Sequence, residues 1–470
     1  MKLISTRDES QKEYSYTDVL LAGLAPDGGL FTPLSYPHVS LEEIASFRGA
    51  PYRDIAFTIK KKIIGGDIPD DVLHSLVDAA YSDTSFLPTK DGNVAPLQTI
   101  GNGVFIEQLS LGPTAAFKDV AMQMLGQEMN YELSKRNEHL IILGATSGDT
   151  GSAAEAAFKG LEHVTIFMLS PERGMSPFQK AQMGALSGGN VLNISVRGVF
   201  DDCQDLVKKL KNEKEFEKLG AVNSINWGRI SSQVPYYFSG YVQAVQAIGD
   251  EVDFCIPSGN FGNALSGYIA KQMGLPIRRL IIATNENNVL DTLFNTGIYA
   301  QTPTRTTSSP SMDISKASNY ERFAFDLLGR DAAKLREYMH IFETTGSVDL
   351  KEFGVSVSDL CGQGFESGVS THTDRLGSIR SVYEKANIVI DTHTADAVTV
   401  GIRAKKDSVP LICMSTALPV KFEDSIKEAL GFVTERSERF MGLENSLPED
   451  AFIRIDADAE QLRAFIRSHS

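Results

Sequence analysis

Lys118 stands in the run Leu111-Gly112-Pro113-Thr114-Ala115-Ala116-Phe117-Lys118-Asp119, a turn of small residues ahead of the apolar stretch Val120-Ala121-Met122-Gln123-Met124-Leu125-Gly126. A lysine amine can hold an aldehyde cofactor as a Schiff base. The downstream stretch predicts a helix. At its N-terminus the helix dipole opposes a protonated ammonium and frees the amine for nucleophilic work. Taken alone, the same residues also fit a surface lysine at a helix start.

Two glycine loops narrow the choice. Gly144-Ala145-Thr146-Ser147-Gly148-Asp149-Thr150-Gly151 follows the apolar run Leu140-Ile141-Ile142-Leu143 and precedes an alanine-rich helical stretch. Strand, glycine loop and helix start aim backbone N–H groups and the positive end of a helix dipole at an anion. The hydroxyls of Thr146, Ser147 and Thr150 add donors, although an ordinary N-capped turn fits as well. Pro257-Ser258-Gly259-Asn260-Phe261-Gly262-Asn263 repeats the arrangement after Val252-Asp253-Phe254-Cys255-Ile256. It has neither the Gly-Lys-Ser/Thr of a Walker A loop nor a Gly-x-Gly-x-x-Gly fingerprint, which argues against a nucleotide or a nicotinamide dehydrogenase. One placed lysine and two anion loops point to a phosphate-bearing aldehyde beside a second acidic molecule.

The order of motifs resembles the threonine synthase family of fold-type-II pyridoxal-phosphate enzymes. The motifs are Gly23-Leu24-Ala25-Pro26-Asp27-Gly28-Gly29-Leu30-Phe31, the Lys118 run, residues 146–151, Asn223-Ser224-Ile225-Asn226-Trp227-Gly228-Arg229-Ile230, residues 258–263, Asp391-Thr392-His393-Thr394-Ala395 and Ser415-Thr416-Ala417-Leu418-Pro419-Val420-Lys421-Phe422. The resemblance implies pyridoxal 5'-phosphate as cofactor and Lys118 as the residue that holds it and then moves protons. It implies that Gly259, Asn260, Phe261, Gly262 and Asn263 bind the cofactor phosphate and that Thr416 meets the pyridine nitrogen. It also implies that Thr146, Ser147, Gly148 and Thr150 take the substrate α-carboxylate.

Asp149, an acid inside an anion loop, is expected to orient a hydroxyl, a water or Lys118, or to cap the helix. The implied reaction converts O-phospho-L-homoserine and water to L-threonine and phosphate. Arg229, Asn226 and Lys180 are candidates for gripping the leaving phosphate, Arg229 first because a guanidinium can do so bidentately. An eliminating relative that yields a 2-oxo acid and ammonia is the alternative chemistry. Leu418 and Val420 depart from the family's usual His and Ala, which touches the surroundings of the ring edge rather than cofactor contact. His393 either works near the site or fastens a loop.

Composition constrains the rest. A chain of 470 residues exceeds one ordinary core, so several units are expected. With 60 acidic against 45 basic residues the net charge is -15, which argues against a nucleic-acid-binding surface and towards a cytoplasmic enzyme. No apolar run reaches membrane-spanning length, and the N-terminus turns acidic too soon for a signal or transit peptide. Cys203, Cys255, Cys361 and Cys413 and the histidines have no metal spacing. The partner is a small molecule, and a monomer or small homo-oligomer is expected.

Continuous apolar runs at residues 163–169, 191–196, 280–283 and 409–415, alternating with helical stretches, predict α/β units with helices on both faces of each sheet. The expected fold is that of fold type II, similar to the tryptophan synthase β subunit: two open twisted α/β domains with the cofactor in the cleft, plus an N-terminal cap. The boundaries drawn are 1–95 for the cap, 96–200 for the smaller domain and 201–470 for the larger. Residues 302–311, rich in Thr, Ser and Pro, predict a loop, either a mobile cover over the site or a plain connection.

Overall fold

In a computed structural model of the chain, the structure describes residues 1–89, 92–146, 148–173, 175–211, 213, 219–220, 223–445 and 447–469. Short antiparallel pairs join β1 (Leu3–Ser5) to β2 (Phe31–Pro33), and β10 (Ile298–Ala300) to β11 (Ser347–Asp349). The remaining strands build two sheets.

The smaller sheet holds β5 (Leu140–Ala145), β6 (Val164–Pro171), β7 (Val191–Arg197) and β14 (Ile453–Asp456) in the order β14-β7-β6-β5, all parallel. The larger holds β3 (Leu97–Gly101), β4 (Val104–Glu107), β8 (Val252–Pro257), β9 (Ile277–Thr284), β12 (Phe365–Val369) and β13 (Leu411–Met414). Its order is β12-β9-β8-β13-β4-β3, parallel except for the β3–β4 hairpin at one edge. Every residue of β6 and of β8 is buried. This is why these strands read as unbroken apolar runs: helices cover both faces.

The sheets do not divide at the boundaries drawn from the sequence. β3 and β4 precede the smaller sheet in the chain yet pair into the larger, and β14 returns at the C-terminal end to the smaller. Parallel pairing needs crossover connections, so neighbours in a sheet need not be neighbours in the chain.

The N-terminal helices Tyr16–Ala22 and Tyr52–Ile64 belong to the same hydrophobic cluster as the larger sheet. Lys60, fully buried, fastens them. Its Nζ lies 2.9 Å from Glu128 Oε1 and donates to Tyr16 OH at 2.7 Å and to Ser231 and Ser232 Oγ at 3.0 Å. The expected cap is thus tied to the helix Lys118–Arg136, which carries Glu128, and to the helix Trp227–Ser231. No helix among the described residues is long and apolar enough to cross a membrane.

Candidate active site

The glycine loops and the Lys118 turn lie at or near the carboxyl ends of β4, β5, β8 and β13, where open parallel sheets present ligand sites. Lys118 is the first residue of its helix. The turn before it is held by its own sequence. Thr114 N and Oγ1 donate to the Asp119 carboxylate at 2.8 and 2.6 Å. A Cβ on Gly112 would stand 2.3 Å from Asp119 Cβ, so no side chain fits there. Just before the lysine the turn is sewn to the loop after β13: Phe117 N donates to Thr416 O (2.7 Å) and Leu418 N to Ala115 O (3.0 Å). Leu418 and Val420 pack with Ala115, Phe178 and Phe440, so the two departures from the family pattern brace this seam.

Lys118 is 8% exposed. Burial lowers the pKa of its amine, and Lys421 and Arg229 lower it further against the pull of Asp149. The sequence-based expectation rested on the helix dipole; burial and two neighbouring cations do the same work more directly. Asp149 Oδ2 stands 3.6 Å from Lys118 Nζ, and Asp149 Oδ1 accepts from Lys421 Nζ at 2.7 Å and Gln179 Nε2 at 3.0 Å. Ser311 Oγ donates to Oδ2 at 3.3 Å. Burial pushes this carboxyl up, but Lys421 and Lys118 together outweigh it and hold it well below the usual carboxylate range. Of the roles open to Asp149, the structure gives it contact with a hydroxyl, that of Ser311, and with Lys118, while Gly148 rather than Asp149 stands at the helix N-cap.

The remaining residues of that loop divide. Thr146 Oγ1 is spent on the loop itself, accepting from Gly148 N (3.0 Å) and Gly151 N (2.9 Å). Gly148 has φ 152°, and a Cβ there would meet Gln179 Nε2 at 2.4 Å. Thr150 is half-buried, its hydroxyl unbonded among the described residues. Ser147 lies outside the described residues.

In the second loop, the helix Gly262–Gln272 begins after Phe261, a non-glycine residue at φ 63°. Its ring is locked among Phe294, Phe323 and Phe365, and that packing holds a backbone conformation otherwise disfavoured. Asn260 and Asn263 are anchored by their side chains: Ser318 Oγ donates to Asn260 Oδ1 (3.1 Å), and Tyr236 and Tyr237 OH both donate to Asn263 Oδ1 (2.7 Å). The backbone N–H groups of Gly259, Asn260, Phe261 and Gly262 donate to nothing among the described residues. An arc of free N–H groups at a helix start fits a phosphate ester. A Cβ on Gly259 would crowd Ile314 and Met312 at 2.9 and 3.0 Å. The hydroxyl of Thr416, a buried residue, makes no hydrogen bond among the described residues, which suits a ring nitrogen.

Arg229 is buried, yet its Nε and Nη1 have no hydrogen-bond partner among the described residues. Burial brings its pKa down to about 10. A buried guanidinium with donors unsatisfied among the described residues is suited to an anion. Asn226 differs: Oδ1 caps Gly228 N (2.8 Å) and Nδ2 donates to Leu20 O (3.0 Å), so both ends of its amide are committed to the fold. Lys180 lies with its ammonium over the ring of Phe452. Its neighbour Gln179 is the residue that reaches Asp149.

His393 fastens a loop. Its Nε2 accepts from Ser311 N (3.0 Å), so the ring proton sits on Nδ1, 2.9 Å from Asp391 Oδ1. Asp391 also caps Thr394 N and accepts from Ala417 N, both at 3.3 Å. The Thr/Ser/Pro-rich segment is thereby tied down beside Asp149. Lys421, Gln179 and Ser311 had no role in the sequence reading. Lys421 stood inside a quoted motif, but nothing in its spacing pointed to an acid 272 residues away.

Comparison with known proteins gives three family models in succession: "Threonine synthase N terminus" over residues 2–81, "Pyridoxal-phosphate dependent enzyme" over 90–342, and "Threonine synthase, C-terminal" over 394–466. A threonine synthase of Methylobacillus glycogenes is 48% identical over the whole of both chains, and one of Corynebacterium glutamicum is 44% identical over 98% of this chain and 97% of its own. The crystal structure of pyridoxal-phosphate-bound threonine synthase from Brucella melitensis is 39% identical and superposes with a TM-score of 0.94, covering 100% of this chain and 99% of that one.

Proposed function

The chain belongs to the threonine synthase family, whose members use pyridoxal phosphate, and from that premise we propose that it converts O-phospho-L-homoserine and water to L-threonine and phosphate. The observation that carries the reading is Lys118, a buried amine of lowered basicity on which Arg229, its donors uncommitted among the described residues, acts directly. Pyridoxal phosphate, when bound, supplies the electron sink that lets protons leave carbons near the substrate amine.

The chain supplies everything else. Lys118 Nζ holds the cofactor and, once released, takes and returns protons; burial lowers the basicity of its amine, which suits it to that exchange. Asp149 stays ionised and steadies Lys118 whenever its Nζ carries a proton. The free N–H groups of Gly259 to Gly262 receive the cofactor phosphate, with Asn260, Phe261 and Asn263 fixing their shape. Thr416 offers its hydroxyl to the pyridine nitrogen. A hydroxyl there leaves that nitrogen largely unprotonated, so charge is managed by Lys118 and the loop dipoles. The loop with Thr146, Ser147, Gly148 and Thr150 takes the α-carboxylate, and Arg229 grips the phosphate that leaves. Asn226 contributes by aiming the helix that carries Arg229. We place the reaction in the cytoplasm, in the cleft between the two sheets, with no nucleic acid or membrane taking part.

The test is an absorbance spectrum of the full chain loaded with pyridoxal phosphate, followed by O-phospho-L-homoserine. A cofactor band that Lys118→Ala abolishes, with threonine and phosphate released in equal amounts, is the expected result. Phosphate with 2-oxobutanoate in place of threonine would assign the eliminating chemistry instead, and no band would remove the cofactor from the site.

A further inference from the structure

Lys421 lies in the short turn Pro419–Phe422 after β13, with its side chain wholly buried. Its ammonium has one partner among the described residues, Asp149 Oδ1 at 2.7 Å. The other Asp149 oxygen is the one 3.6 Å from Lys118 Nζ, a distance too long for a hydrogen bond. Gln179 Nε2 and Ser311 Oγ take up further lone pairs. One buried carboxylate is therefore shared unequally by two lysines, and the lysine with the assigned chemistry holds the weaker share.

We propose that Lys421 is a positioning residue for the reaction: it pins Asp149 as a fixed counter-charge beside Lys118 and keeps that carboxylate from drawing Lys118 into an ion pair of its own. This rests on the reading above that Lys118 is the working amine. Were Lys421 absent, Asp149 would have Lys118 as its one cationic neighbour among the groups packed on it. A closed pair at hydrogen-bonding distance would keep Lys118 Nζ protonated and turned away from the reacting carbons. With Lys421 present, the pair Lys421–Asp149 is neutral as a unit, and Lys118 feels a nearby carboxylate without being captured by it. Arg229, the second cation that acts on Lys118, works in the same direction as Lys421.

The two members of the pair have opposite charges, and this separates an electrostatic role from a structural one. Lys421→Met and Asp149→Asn both abolish the same buried ion pair. Loss of a structural strut would move any property of Lys118 the same way in both, or not at all. Removing a neighbouring cation, however, makes a protonated nitrogen at Lys118 easier to keep, and removing the anion makes it harder.

The experiment is a pH titration of the absorbance band of pyridoxal phosphate held by Lys118 in the full chain, for wild type, Lys421→Met, Lys421→Arg and Asp149→Asn, each checked for folding by circular dichroism. The midpoint of the protonated form is expected to rise by about one pH unit or more in Lys421→Met, to fall by about as much in Asp149→Asn, and to stay near wild type in Lys421→Arg. Should Lys421→Met not fold, Lys421→Gln takes its place with the same expected rise. Shifts of the same sign in the two charge-removing variants, or midpoints unchanged, would overturn the role of Lys421 while leaving the cofactor band intact. Absence of the band in wild type would instead remove the reading on which it rests.

Discussion

Arg229 offers the sharpest test of the site because its replacement has opposite expected effects on stability and on activity. A guanidinium brought down by burial to about 10 from an ordinary 12.5 costs about 3 kcal/mol more to keep charged here than in water. Its Nε and Nη1 have no partner to offset that cost. Arg229→Met keeps much of the side-chain volume and removes the charge. The cofactor-free protein is therefore expected to unfold at higher denaturant concentration, by about 1–3 kcal/mol after allowance for lost packing.

Turnover goes the other way. Two charge-assisted hydrogen bonds to a phosphate are worth about 3 kcal/mol or more, so kcat/KM is expected to fall at least a hundredfold. The assay is urea denaturation with and without inorganic phosphate, beside phosphate-release kinetics. Phosphate should stabilise the wild type more than the variant, in which the loop at Gly259 to Gly262 is left as the anion site. A variant that is less stable than wild type without phosphate, and equally stabilised by it, would refute the assignment and make Arg229 a structural cation.

Three further substitutions test the surroundings. Glu107 is fully buried, neither carboxyl oxygen has a hydrogen-bond partner among the described residues, and burial raises its pKa well above the ordinary carboxyl value. Folded protein thus keeps the proton that unfolded chain releases above about pH 4.5, so Glu107→Gln should match wild-type stability near pH 4 and exceed it increasingly as pH rises, as read by thermal unfolding across pH. Lys60→Met strands the Glu128 carboxylate and should cost about 3–5 kcal/mol in urea unfolding. Gly148→Ala forces a Cβ into the left-handed φ of 152° and onto Gln179 Nε2, which should cost about 1–3 kcal/mol and lower kcat/KM with cofactor content unchanged.

Local rules made most of the elements legible. Residues 163–169, 191–196 and 280–283 read as buried strands because their apolar character is continuous, and each forms one. The loops at 144–151 and 257–263 read as anion sites because glycine and short polar residues sit between a strand and a helix, and the second leaves its N–H groups free as that pattern requires. Thr146 illustrates the limit: the residue type allowed either a ligand donor or a loop brace, and its hydroxyl braces the loop. Asn226 likewise spends both ends of its amide on the fold. Long-range closure was beyond local rules. No periodicity announces that β14 pairs with β7, that Ala116 lies against Ala417, or that Asp149 and Lys421 meet. Those contacts are fixed by crossover topology and by burial, which a single sequence does not display.

The same distinction explains why the site strains the protein that carries it. A pocket suited to anions leaves donors unsatisfied among the described residues: the N–H groups at Gly259 to Gly262, Nε and Nη1 of Arg229, and Lys118 under the influence of two other cations. Asp149 is ion-paired with both Lys118 and Lys421, and Lys421 holds it at the shorter distance. Rigidity is bought elsewhere, in the Thr114–Asp119 turn, the Phe117–Thr416 seam, the aromatic lock on Phe261 and the His393–Ser311 tie. Each of these bonds uses a residue from a motif that a sequence reader would assign to catalysis. Many motif residues therefore act without touching substrate: they hold a few uncompensated charges still until the cofactor and a phosphorylated substrate arrive to neutralise them.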